Sequence, residues 1–352
     1  MNAMLKTDYQ SVKALQLFSE HNSLFVQPEW FYLFERSIGG AGEPRWFIHQ
    51  PDSAQDALCF PALALPVGRL GGKQLQSMSN YYSPYFDLMA CKPYSEQQLL
   101  QLFGSFQADF ASYDTINIVP CQSDKAALWS KALKHIGFHS HIYQHSMNWY
   151  HPDIQDIEDF WAKRPSRLRH TLQRKKEKMQ KSGQYSCHIF TTGCRQELIR
   201  LLIDYHHCYR NSWKNIEPNP GFIDAIAELA WQQGKLRLGI IYHLNTPVAG
   251  QIWFSEGNTA SIFKLAHDKA YTKHSVGTVL TAALAEHVIV QDKISCLDFL
   301  TGDDDYKRDW MTHKRPLYGV HGSNLKSFLG LSSALQNEFS RLRQLIKKPN
   351  LE

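Results

Sequence analysis

GQIWFSEGNTASIFKLAHDKAYTKHSVGTVLTAALAEHVIVQDKISCLDFLTGDDDYKRDW, residues 250–310, decides the fold of this chain. With the preceding KLRLGIIYHLNTPVA (235–249) it reads as three antiparallel strands over 235–268. Asn245-Thr246 and Glu256-Gly257-Asn258 supply the turn signals between them. VGTVLTAALAEHVIVQD (276–292) reads as a helix opened by a turn at Gly277, and SCLDFLTG (295–302) as a further strand. A hairpin meander, a helix and a returning strand predict an α+β layered domain, a mixed central sheet with helices on its faces.

Outward from this stretch, DIEDFWAKRPSRLRHTLQRKKEKMQKSG (156–183) reads as one or two helices, broken at Pro165 and stopped at Gly183. YSCHIFTTG (185–193) reads as a strand. RQELIRLLIDYHHCYRNSW (195–213) and GFIDAIAELAWQQG (221–234) read as helices. In the first half, Pro28 opens a helix whose Trp30, Phe31, Leu33 and Phe34 recur at helical spacing. RWFIHQ (45–50), ALCFPALALPVG (57–68), DTINIVPC (114–121) and HIYQHSMNWYH (141–151) read as strands, and DKAALWSKALKHIGF (124–138) as a helix closed by Gly137. A length of 352 residues suits two domains of roughly 150 residues each. No low-complexity linker intervenes, so the expected division is 1–152, 153–330 and a C-terminal helix or tail over 331–352.

Hydrophobic content of 43% and charged content of 20% are those of a globular chain. No run reaches the roughly 18 apolar residues of a membrane span, and MNAMLKTDYQ lacks the pattern of a secretory signal, so a cytoplasmic protein is expected. The seven cysteines, Cys59, Cys91, Cys121, Cys187, Cys194, Cys208 and Cys296, show no CxxC pairing and read as reduced thiols. A net charge of +5 permits an anionic ligand without demanding nucleic acid. HExxH, Walker, GxSxG and Rossmann patterns are absent, and His206-His207-Cys208 point to different faces of a helix, so no metal site is expected.

Four separated pieces carry more specific information: RNSWK (210–214), FKLAHD (263–268), SVGTVL (275–280) and DFLTGDDDYKRDW (298–310). In this order they resemble GNAT-superfamily acyltransferases of the CelD/BioF2-like type, related to the FemAB peptidyltransferases. The resemblance covers most of residues 155–320, and FVQPEW (25–30) and SNYYSPYFDL (79–88) share it more weakly. It implies tandem GNAT-like domains, the first degenerate and on the acceptor side, the second holding donor and catalytic site. The implied activity is N-acyl transfer from acyl-CoA or acyl-ACP to an amine of a sugar, amino acid or peptide. Acyl-CoA or acyl-ACP is then a co-substrate, with no tightly bound cofactor. The implied partners are a small-molecule or peptide amine and an acyl carrier protein, with neither membrane span nor nucleic acid expected. An aminoacyl-tRNA-dependent FemAB-like transferase and a non-catalytic scaffold that binds a partner stay open.

The resemblance assigns roles. Ser275, Val276, Gly277 and Thr278 stand where the family's pyrophosphate loop meets a helix N-terminus, whose N–H groups suit phosphate. The usual R/Q-x-x-G-x-G/A pattern is altered, with Thr272 in place of Arg or Gln and Ser275 in place of the first Gly. Gly277 alone equally permits a tight strand-to-helix turn. Asp268 is a candidate base, or else a turn cap. Asp298, on a strand with apolar neighbours, needs a partner, for which Lys264 is the candidate. Lys307 is expected to stabilise the oxyanion and Tyr306 to protonate the leaving thiolate; the plain alternative is a lysine lying over an aromatic surface. Lys264, Trp213, Lys214, Tyr82 and Tyr85 are the candidate substrate-binding residues, the two tyrosines lining either an acceptor groove or an apolar core. The run from Lys163 to Lys181, nine Lys/Arg against one Glu, is by default a solvated face, and otherwise a contact for CoA phosphates, an acidic carrier or nucleic acid.

Overall fold

Strand-forming runs recur in the same order in both halves of the chain. The computed structural model describes residues 2–18, 23–38, 42–51, 53–68 and 71–346. It divides into a first unit of Met1–Ser146 with Pro316–Glu352 and a second of Met147–Arg315. The first run of elements is β1 (Asn2–Lys6), α1 (Tyr9–Lys13), α2 (Pro28–Ile38), β2 (Glu43–Gln50), β3 (Leu58–Val67), β4 (Gly72–Ser77), β5 (Met89–Ala90), α3 (Glu96–Ser105), α4 (Gln107–Phe110), β6 (Thr115–Cys121), α5 (Ser123–His135) and β7 (His139–His151). The second is α6 (Ile157–Ala162), α7 (Ser166–Ser182), β8 (Tyr185–Phe190), α8 (Arg195–Arg210), α9 (Pro220–Gln232), β9 (Leu236–His243), β10 (Thr246–Glu256), β11 (Thr259–His267), a 3-10 turn (Lys269–His274), α10 (Val276–Val290), β12 (Cys296–Thr301), α11 (Lys307–Trp310), β13 (His313–Ser323) and α12 (Phe328–Ile346).

The order strand, two helices, three strands, one or two helices, strand thus occurs twice, with the short β5 added in the first unit, and it builds mixed β-structure flanked by helices in each unit, an α+β fold. The first unit's sheet runs β1-β2-β3-β4-β6-β13, with β5 beside β3; the second's runs β7-β12-β11-β10-β9-β8. In each, the meander is antiparallel and one pair is parallel, β4 with β6 and β11 with β12. The last strand of each sheet comes from the other repeat of the chain: Tyr318 is registered against Cys121, and His151 against Leu297. This strand exchange corrects the expected division. Residues 316–330 join the first unit because Tyr318–Ser323 pair with β6, and α12 comes after them, with Ser333 Oγ 2.9 Å from His321 Nε2. Residues 347–352 of the expected tail lie outside the described residues.

Aromatic side chains fill the first core. Phe47, Phe60, Phe103, Phe110 and Trp129 are fully buried, with ring centroids 4.7 Å apart for Phe47–Phe110 and 5.8 Å for Phe60–Trp129. Tilted pairs of this kind exploit the ring quadrupoles. In the second unit α10 is apolar on nearly every side and lies on β9, β10 and β11, burying Val276, Leu280, Leu284 and Val288. A helix buried this way has no polar face to display. Across the sheet α8 crosses β10 at Gly250, where a Cβ would lie 3.1 Å from Tyr205 Cδ2 and 3.2 Å from its Cα. Among the described residues no helix is long and apolar enough to cross a membrane.

Gly250 therefore sets how closely α8 approaches the sheet. Gly250→Val is expected to lower unfolding free energy by about 1–3 kcal/mol through overpacking, measured as the shift in urea midpoint. A variant as stable as the parent would show that α8 retreats from β10 without cost.

Candidate active site

Backbone pairing between β11 and β12 stops early. Only Thr259–Cys296, Ala260–Leu297 and Ser261–Asp298 are in register. Beyond them β11 pairs only with β10, from Ile262 against Trp253 to His267 against Ala249, and a bulge falls at Ile252/Trp253. β12 meanwhile bends at Leu300 (φ 55°) and Gly302 (φ 118°), and Thr301 pairs with Asn148 of β7. A fissure is left between the end of β11 and the end of β12. In the first unit the matching place beyond β4 and β6 is sewn shut. Ser77 Oγ donates to Val119 O at 3.0 Å and accepts from Val119 N at 3.0 Å, and Ser79 Oγ also donates to Val119 O.

The two units also differ at the helix that succeeds the meander. α3 begins with a complete capping box, Gln98 N donating to Ser95 Oγ at 3.3 Å and Ser95 N to Gln98 Oε1 at 2.9 Å. α10 begins with Ser275 in the left-handed region (φ 57°, ψ 34°) and no side-chain cap. The first-turn N–H groups of Val276, Gly277 and Thr278 therefore have no intrahelical partner, at the positive end of a 15-residue helix. Val276 is buried, so its backbone rather than its side chain is on offer. A Cβ on Gly277 would come within 2.9 Å of His267 Nδ1. His267 in turn lies tilted against Trp213, with centroids 4.5 Å apart. Gln251 fixes the helix start, donating through Nε2 to Gly277 O at 3.1 Å and Thr281 Oγ1 at 2.8 Å.

Charged side chains cluster at the fissure. Lys264 Nζ meets Glu217 Oε2 at 3.0 Å, both buried. Lys214 answers to both walls: burial first, then Lys264, pull its ammonium down to about 8, with Lys307 adding to this and Asp304 and Glu217 opposing it. Its Nζ lies 5.7 Å from the Tyr209 ring and 5.9 Å from the Trp213 ring. Lys307 is only 4% exposed. Its Nζ donates to Phe299 O at 3.2 Å, Thr301 O at 2.8 Å and Gly302 O at 3.3 Å. An ammonium has three donors, so this clasp leaves none for a developing oxyanion. In this geometry the Lys307 ammonium holds the bent end of β12. Tyr306 sets its ring edge-on to Phe299 at 5.7 Å, and burial and then Asp304 push its hydroxyl up, away from ready proton donation.

The other expected residues take definite places. Asp268 Oδ1 accepts from Ala270 N at 2.8 Å, capping the 3-10 turn that leads to α10. Asp298 is paired with Arg315 rather than Lys264. Its carboxylate accepts from Arg315 Nη2 at 3.0 Å, Asn148 Nδ2 at 2.6 Å and Leu300 N at 2.7 Å. Burial pushes this carboxyl up, while Asn148 and Arg315 oppose the shift. Lys264 is held instead by Glu217, a residue absent from the expected set. Tyr82 and Tyr85 belong to the first unit. Tyr82 is buried, its N–H donating to Asn80 Oδ1 at 2.9 Å, and Tyr85 packs edge-on to Phe25 at 5.9 Å. Arg315, Asn148, Glu217 and His267 escaped the sequence reading, because each acquires its role only from a partner distant in sequence or across a strand.

Known proteins share this fold. Residues 166–308 match the family model described as an acetyltransferase (GNAT) domain. No curated protein matches the chain. The crystal structure of FemX is similar at 11% identity and a TM-score of 0.60, over 93% of this chain and 98% of that one. The C-terminal domain of a protein assigned as a lysylphosphatidylglycerol synthetase, from Agrobacterium fabrum, is similar at 10% identity and a TM-score of 0.55, over 93% and 95%. L-PGS from Bacillus licheniformis is similar at 10% identity and a TM-score of 0.52, over 91% and 98%. At these identities the likeness is one of fold.

Asp268→Asn keeps an oxygen for the Ala270 N–H, and turnover in an acyl-transfer assay should stay within about threefold of the parent. Lys307→Ala strands three carbonyls and should cost about 2 kcal/mol in chemical denaturation. A large loss of turnover in the first with no loss of stability in the second would reverse these assignments.

Proposed function

We propose that the chain transfers an acyl group from acyl-CoA or acyl-ACP to an amine; the match of residues 166–308 to the acetyltransferase (GNAT) domain model and the fold shared with FemX support this reading. The acceptor class is a sugar, amino acid or peptide, and the CelD/BioF2-like type is part of the same proposal. One observation carries it: the uncapped start of α10 stands beside an open fissure in the second unit, whereas the first unit has both features closed. Free N–H groups at a helix start bind a pyrophosphate, and Gly277 lets the His267 ring pack against that start. Trp213 and His267 flank it with flat apolar surface.

Acyl transfer needs the acceptor as a free amine. With Asp268 engaged as a cap and Lys307 as a clasp, Lys214 is the base assigned to this step. A lysine brought down to about 8 is partly neutral near pH 8 and can accept a proton there. Its lone pair takes one proton from the ammonium, the freed amine nitrogen bonds to the thioester carbonyl carbon, the C–S bond breaks, and the nitrogen's surplus proton passes to the departing sulfur, which leaves as the thiol. The neighbouring Lys264 contributes positive charge where the carbonyl oxygen becomes negative.

One observation favours a second reading, aminoacyl-tRNA-dependent transfer. Arg167, Arg174, Lys178 and Lys181 recur at helical spacing on α7, over roughly 21 Å at 1.5 Å per residue. Lys175, on the adjoining flank, donates to Lys273 O, which sets this strip beside the turn into α10. Such a strip is longer than the phosphates of CoA require and suits a donor carried on a larger polyanion.

The base assignment makes a pH prediction. Deprotonation of Lys214 increases as pH rises through about 8, so kcat/KM should climb through that region and level above it. Lys214→Met should lose the limb and about 100-fold in rate at pH 8, monitored as thiol release from acyl-CoA with a panel of amines. Activity that requires loaded tRNA and is abolished by RNase would select the second reading. Calorimetry showing no binding of acyl-CoA, acyl carrier protein or loaded tRNA would leave a non-catalytic scaffold.

A further inference from the structure

α12 is inside out. Its inward side carries Gly330, Ser333, Ala334 and Asn337: Gly330 and Ala334 are buried, and Ser333 is bonded to His321. Its outward side carries Phe328, Leu331, Leu335 and Phe339, which are 79%, 45%, 54% and 64% exposed. Spacings of 3, 4 and 4 residues place these four within one narrow stripe of an α-helix. A helix kept only for packing would have the opposite arrangement. In sequence the same spacing continues with Leu342 and Ile346.

We propose that α12 is an interfacial helix that lays this stripe into an anionic lipid surface. The four exposed side chains form one apolar patch of the kind that marks a functional surface. Charge selects the bilayer over a second copy of the chain. From Lys326 to Lys348 the sequence has five cations, Lys326, Arg341, Arg343, Lys347 and Lys348, against one carboxylate. That carboxylate, Glu338, is already engaged by Arg341 at 3.4 Å and His139 at 3.5 Å. A twofold pair of such helices brings cation against cation, whereas acidic headgroups neutralise them. Phenylalanine and leucine on one side with cations alongside is the composition of a helix lying at the headgroup boundary. The site belongs to the first unit and does not depend on the reaction assigned to the second.

Co-sedimentation of the full chain with vesicles tests this, comparing phosphatidylcholine alone with an equal mixture of phosphatidylcholine and phosphatidylglycerol. Binding is expected to the mixture, weaker in high salt, and at least about tenfold weaker for L331E/L335E, whose substitutions lie on exposed positions. Equal binding by the variant, or no binding to the acidic vesicles, would overturn the proposal. So would a concentration-dependent dimer in sedimentation velocity that L331E/L335E abolishes.

Discussion

A parallel strand pair that stops after three residues is the constraint on which the second unit depends. β11 and β12 stay together only to Ser261 and Asp298, and their remaining residues have to be held apart against the tendency of strands to pair. Two buried polar clusters do this. Asp298, Asn148 and Arg315 tie β12 away from β11 and toward β7. Lys307 then gathers three carbonyls of the bent segment from Phe299 to Gly302. Buried charges are tolerated because each is matched, Asp298 by a guanidinium and two N–H donors, Lys307 by backbone oxygens.

The first unit's parallel pair also ends after three registered residues, Gln74–Thr115 to Gln76–Asn117, and shows the opposite outcome. That unit has the same meander and parallel pair, yet two serines bridge the place where the strands would part, and its helix start is capped by its own side chains. The second unit thus differs from the first by omitted hydrogen bonds, which is where the proposed donor would bind. The uncapped N–H groups of α10 and the unpaired edge of β11 are costly if left alone, and they become useful when a ligand supplies the missing partners.

Local features were legible in the sequence. The meander and α10 arise from periodicity and turn residues within a few positions of one another, and Asp268 as a turn cap is likewise a local interaction, whereas the left-handed turn residue is Ser275 and Gly277 lies inside the helix. Non-local features were hidden. Lys264 was matched with Asp298 because both lie on central strands, but Glu217 beyond α8 reaches it first, and Arg315 reaches Asp298. The division at 330 failed for the same reason: β13 pairs with β6, nearly 200 residues away in the chain, and no local pattern announces an exchange of strands. The stripe on α12 was present in the spacing of its residues. Its meaning came from burial, which showed the small and polar residues inside.

Backbone amide hydrogen exchange, with and without acyl-CoA, tests most directly that the open helix start is where the donor binds. Protection is expected at Val276, Gly277 and Thr278, whose N–H groups lack an intrahelical partner, with no change at Glu96–Gln98, where the first unit's helix is capped. Protection at Glu96–Gln98, or none at 276–278 under conditions where acyl-CoA is turned over, would contradict the account.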